Sequence, residues 1–166
     1  MPALISWWRQ DLADLIPFAL DDAVQAAGTD LLRRWAEPQR HYHRTTHLVE
    51  LFWALEELED GDDLDPRDAL LGRVAGWFHD AVYLPLAAAG TNEADSARLA
   101  VSTLGDLGAD ADDVSAIERL VHLSATHDGD ALTSLDRAFL DADLWILNAD
   151  PDRFDDYCEQ VRQEYA

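Results

Sequence analysis

Histidine is scarce in this sequence, and its six copies, His41, His43, His47, His79, His122 and His127, are unevenly spread. One of them, His79, ends the most hydrophobic segment of the chain, Leu70 to Phe78, and Asp80 follows at once. Burying an imidazole and a carboxylate without partners costs on the order of several kcal/mol, so buried pairs of this kind are hydrogen-bonded or bound to a metal. A second carboxylate needs a partner in the apolar stretch Phe139 to Leu147. On a helix there, Asp143 shares a face with Phe139, Leu140 and Leu147 and points inward, whereas Asp141 turns toward solvent. His47, His79, Asp80 and Asp143 would together supply two nitrogen and two oxygen ligands from three helices, leaving coordination positions for water and substrate. His43 and His47, at i and i+4, could instead chelate as a pair, but Thr45-Thr46 reads as a helix start between them.

The elements that must position these residues are all helical. Apolar periodicity predicts helices over about 6–17, 21–36, 47–59, 66–78, 92–106, 112–127 and 134–147, with a last amphipathic helix from Pro151. Punctuation agrees with this division. Acids open and arginines close the second helix, and Asp65-Pro66 caps the fourth. Thr133 to Asp136 resembles a capping box, and Pro85 and Gly90 bracket a loop. Gly61 to Asp65 reads as an exposed acidic turn without calcium-loop spacing. No alternating strand pattern, repeat or linker occurs, so the expectation is one all-α domain, a helical bundle over residues 1–166. The last helix meets Ala166 with no stop signal, and the chain is expected to continue beyond it.

Composition narrows the partners. Apolar residues make up 48% of the 166, which excludes global disorder. Twelve basic against thirty-four acidic residues leave a net charge of −22, which repels nucleic-acid duplexes and anionic membranes. The same field opposes a phosphorylated substrate unless cations reverse its sign locally. Cys158 is alone, so no internal disulfide forms, and a cytoplasmic location is expected. No apolar run is long enough to span a bilayer, and the N-terminus lacks the pattern of a signal peptide. The six tryptophans read as core rather than as a base-stacking platform. No Walker loop, nucleophile elbow or dinucleotide fingerprint is present.

The order His47, His79-Asp80, Asp143 resembles that of the His-Asp (HD) superfamily of metal-dependent phosphohydrolases. The flanking text is similar to its small stand-alone branch: Arg40-His41-Tyr42-His43, Trp77 to Tyr83, Asn92 to Ala97, Thr126-His127, Phe139 to Leu147, and Tyr157 with Arg162 to Tyr165. Arg44 departs from that pattern, where relatives often carry a smaller polar residue. The resemblance implies an HD-type bundle that hydrolyses a phosphoester or phosphoanhydride in a small metabolite, a nucleotide above all, by metal-activated water. The implied cofactor is a divalent ion, Mn, Fe, Co, Ni, Zn or Mg, held by His47, His79, Asp80 and Asp143. Arg40, Arg44, His43 and His127 become candidates for substrate phosphate, and Glu93 and Asp80 the candidate catalytic carboxylates. Against these stand plainer roles: salt bridges for Arg40 and Arg44, a hydrogen bond behind a ligand for His43, and helix-end charge for His127. Glu93 could be an ordinary first-turn acid, and His122 reads as a core histidine. Two rival functions remain: a di-iron oxygenase drawing on His122, His127 and Glu93, and a metal- or nucleotide-binding module without turnover. A homo-oligomer is compatible with either.

Overall fold

The structure is a computed structural model, and it describes residues 2–61, 63–127 and 132–166. The described residues form helices α1 (Pro2–Leu15), α2 (Asp21–Trp35), α3 (Thr45–Asp60), α4 (Pro66–Phe78), α5 (Thr91–Leu107), α6 (Ala111–Leu123), α7 (Ser134–Asp143) and α8 (Pro151–Glu164). A 3-10 turn, Trp145–Asn148, separates the last two, and no strand occurs among the described residues. The all-α bundle expected from periodicity is what forms. No described helix is long and apolar enough to cross a membrane.

Helix α4 is the central post. It packs against α1, α3, α5, α6 and α7, which explains why its sequence is apolar nearly all round. Asp65 accepts a hydrogen bond from the Arg67 backbone N–H and Pro66 opens the first turn, as the sequence predicts. A short turn joins α3 to α4, so the two run antiparallel. Gly72 lies against Leu55, and Gly76 against Leu51 and Phe52. A Cβ at Gly76 would come within 2.8 Å of Leu51 and 3.1 Å of Phe52, so the glycine lets the helices close up. One further helical turn in this register brings the end of α4 opposite the start of α3. That places His79-Asp80 beside His47.

Several boundaries differ from expectation. Helix α1 begins four residues earlier than the sixth position, at Pro2. Helix α3 starts at Thr45 with Arg44 at its N-cap, so neither Thr45 nor Thr46 caps it. Helix α6 stops at Leu123 because Ser124 bonds back to the Val121 carbonyl, and the chain turns through His127 at φ 52°. The helix expected to reach Leu147 ends at Asp143 and tightens into the 3-10 turn. Within the acidic turn Leu64 is buried rather than exposed, and Asp62 lies outside the described residues. The capping box at Thr133 and Asp136 forms.

Trp8, Trp35 and Trp77 are fully buried, but Trp53 is 56% exposed. Trp53 sits on the side of α3 away from Leu48, Leu51 and Leu55, so it cannot reach the core that the sequence assigned to every tryptophan. His122 is likewise exposed rather than buried, since the inward face of α6 is Ile117, Leu120 and Val121.

Candidate metal centre

His47 enters from the first turn of α3, His79-Asp80 from the end of α4, and Asp143 from the last residue of α7. Their ligand atoms converge. The two imidazole Nε2 atoms stand 3.2 Å apart. Asp143 Oδ1 lies 3.1 Å from His47 Nε2 and 3.3 Å from His79 Nε2. Asp80 Oδ2 is 3.1 Å from His79 Nε2 and 3.8 Å from His47 Nε2. Ligands about 2.1 Å from one ion stand about 3.0 Å apart across a right angle and about 3.4 Å apart across a tetrahedral one. The His47, His79 and Asp80 atoms are therefore close enough to share one ion, and Asp143 Oδ1 lies within 3.3 Å of both imidazoles.

The chemistry of the donors points the same way. His79 Nδ1 is 2.9 Å from the Gly76 carbonyl, which can only accept, so Nδ1 carries the proton and a neutral ring offers a lone pair at Nε2. His47 Nδ1 meets the Tyr42 hydroxyl at 3.2 Å, which leaves its Nε2 for the cluster. Lone pairs from two imidazoles and two carboxylates facing one point need a positive centre. Burial works against charge on His79, yet Asp80 and Asp143 outweigh it and raise its pKa well above the ordinary value. Burial would raise the pKa of Asp80 and of Asp143, but the imidazoles, His79 foremost, hold both below the usual carboxylate range. A divalent cation satisfies the same field more fully than a proton does.

A supporting layer orients the ligands. The Trp35 ring lies 5.5 Å from that of His79 and 6.3 Å from that of His47, and its indole N–H donates to the Trp77 carbonyl at 2.9 Å. Arg40 Nη1 donates to the Asp80 carbonyl at 2.7 Å and the His43 carbonyl at 3.0 Å, and Nη2 to the Ala81 carbonyl at 3.2 Å. With Nε on Glu37 and a fully buried side chain, the guanidinium braces the turn after α4 and does not reach a substrate. That corrects the phosphate-binding expectation for Arg40. Arg44 is exposed and lines a separate groove beside Arg40 and His41, so it too lies away from the cluster.

The remaining candidates surround a cavity of about 360 Å³ that opens over the cluster, lined among others by His43, Glu93 and His127. His127 Nε2 lies 2.9 Å from Asp143 Oδ2 and so holds the second oxygen of that carboxylate. Glu93 stands in the first turn of α5, which Gly90 introduces at φ 77°. The loop between is tied down by the Asn92 side chain, which bonds both the N–H and the carbonyl of Leu84. His122 does not line this cavity.

Glu164, to which sequence reasoning assigned no role, organises the far wall. Its Oε1 accepts from the backbone N–H groups of His41, Tyr42 and His43 at 2.6, 2.8 and 2.9 Å. Its Oε2 meets His43 Nδ1 at 2.7 Å and the Tyr83 hydroxyl at 3.1 Å. The His43 ring in turn stacks on Tyr83 at 4.2 Å. Burial opposes charge on His43, but Asp80 and the bond to Glu164 prevail and raise its pKa. The only sequence signal for Glu164 was its place in the stretch Arg162 to Tyr165, part of the family resemblance.

Comparison with protein-family models, with curated proteins and with solved structures gives no match. The fold and the cluster define the class by themselves: an all-helical protein with a buried His47, His79, Asp80 group able to hold a metal ion. That arrangement is compatible with an HD-type metal site.

Proposed function

We propose that this protein is a metal-dependent phosphohydrolase of the HD type, acting on a small phosphorylated metabolite such as a nucleotide. The observation that carries it is the buried His47, His79 and Asp80 group, with Asp143 beside both imidazoles, on the floor of an open cavity. A divalent ion bound there would lower the pKa of water and polarise a phosphoryl oxygen. The chain's own residues supply the rest. Glu93, on the cavity wall, orients a water approaching phosphorus. His43, fixed by Glu164 and Tyr83, faces the same space and steadies a phosphoryl oxygen through its ring. His127 keeps Asp143 turned toward the cluster.

The di-iron oxygenase is less well supported, because His122 is exposed and off the cavity, which removes one of the three extra ligands it would require. The test is elemental analysis of protein purified without chelator, followed by a phosphoester panel with added divalent ions. We expect about one ion per chain or more, metal-dependent product release, and loss of both in His79→Ala and Asp80→Ala. Activity surviving both substitutions, or no uptake of any divalent ion, refutes the assignment.

A further inference from the structure

The cavity over the cluster contains no lysine or arginine among its described lining residues, and positions 128–131, which follow His127, include neither residue type. Its ionisable wall is acidic instead. Beyond Asp80 and Asp143, Glu93 faces the space and forms no ion pair among the described residues. The imidazoles that could carry positive charge are already committed, His43 to Glu164 and His127 to Asp143. Arginines close by are turned elsewhere. Arg40 is bound to main-chain carbonyls, and Arg153 grips Glu50 with two hydrogen bonds of 2.7 Å. The rest of the wall includes tyrosine and aliphatic side chains, with Tyr157, Leu144 and Leu147 toward the rim.

Phosphate oxygens in proteins are ordinarily met by guanidinium forks or ammonium groups. Here one phosphoryl group can be neutralised at the cluster by the bound ion. A phosphomonoester brings about −1.5 to −2 charge at neutral pH, and each further phosphoryl group adds more. In this cavity that extra charge would meet Glu93 and no counter-charge, within a protein of net charge −22.

Building on the phosphohydrolase assignment, we propose that the substrate is a monophosphate ester whose remaining portion is uncharged, and that the cavity discriminates against di- and triphosphates. In the overall reaction the P–O bond to the alcohol breaks and a P–O bond forms to the water oxygen. One proton of that water leaves with the alcohol and the other remains with inorganic phosphate.

The experiment uses Mn²⁺-loaded full-length chain at fixed free metal. Thymidine 5′-mono-, di- and triphosphate and para-nitrophenyl phosphate are compared by kcat/KM. Phenylphosphonate and a β,γ-methylene triphosphate analogue are compared by calorimetric binding. The monoesters and the monophosphonate should be favoured by at least about ten-fold, since unmatched like charge costs that much or more. Leu147→Lys, at a rim position 60% exposed and so tolerant of substitution, should move both ratios toward the triphosphate by about ten-fold. Equal or better handling of the triphosphate overturns this inference alone, as does an unmoved ratio in Leu147→Lys. No turnover and no binding anywhere in the series removes the phosphohydrolase assignment and this inference with it.

Discussion

The α3–α4 pair and helix α8 border the same cavity, yet they are held in opposite ways. The pair is closed by apolar contact: Gly72 and Gly76 let α4 approach Leu51, Phe52 and Leu55, and Trp77 and Phe78 are fully buried. Helix α8 contributes no apolar residue to the fully buried core. Its only buried residue is Glu164, and Phe154, Tyr157 and Val161 are half-buried. It is fastened at its start by Arg153 to Glu50 and at its end by Glu164 to the turn at His41–His43. Apolar packing involves no titrating group and no charge for salt to screen, whereas charged hydrogen bonds depend on both. The seating of α4 on α3 is therefore set by packing, while the hold on α8 depends on charge.

The largest effect should come from breaking the apolar side. Trp35→Ala removes a fully buried ring that touches both cluster imidazoles, and should cost about 3–5 kcal/mol in urea denaturation. Divalent-ion affinity should fall with it, measured by titration of the folded fraction. Next comes the polar side. Glu164→Ala leaves three backbone N–H groups and His43 without their acceptor and should cost about 3 kcal/mol. Unlike Trp35→Ala, it should raise hydrogen exchange in 151–166 while α3 and α4 keep their protection.

Acid sharpens the contrast without mutation. Burial would raise the Glu164 pKa, but hydrogen bonds from His43 and the backbone N–H groups of His41 and His43 bring it down to about 2. Because the folded value lies below the ordinary 4.5, the stabilisation is complete above that value and is lost as pH falls toward about 2. The groups facing Glu164 are His43, Tyr83 and those main-chain N–H groups. Exchange protection of α8 should drop across this window in wild type and be flat in Glu164→Ala, whose α8 is already loose. The smallest effect should be that of Arg44→Ala. An exposed side chain away from the cavity should change stability by no more than about 0.5 kcal/mol and leave kcat/KM unmoved.

What could be read in the sequence was whatever depends on near neighbours. Apolar spacing of 3.6 residues announced the helices, and Asp65-Pro66 and Thr133 to Asp136 announced two of their starts. The inward turn of Asp143 and the outward turn of Asp141 followed from helix geometry alone. Where competing bonds end a helix early, as Ser124 does for α6, periodicity carries on past the true end. His122 and Trp53 were misplaced for a related reason: a residue's type states a preference, but its angle around the helix decides.

The amino-acid sequence by itself determined that this chain would be helical, acidic and equipped with a buried His-Asp pair, because composition and local periodicity act over a few residues. Tertiary structure alone decided that Arg40 would hold carbonyls instead of phosphate and that Glu164 would reach across more than 120 positions to the loop at His43. Both outcomes depend on which donors and acceptors long-range packing brings within about 3 Å, and hydrogen bonding has no reach beyond that.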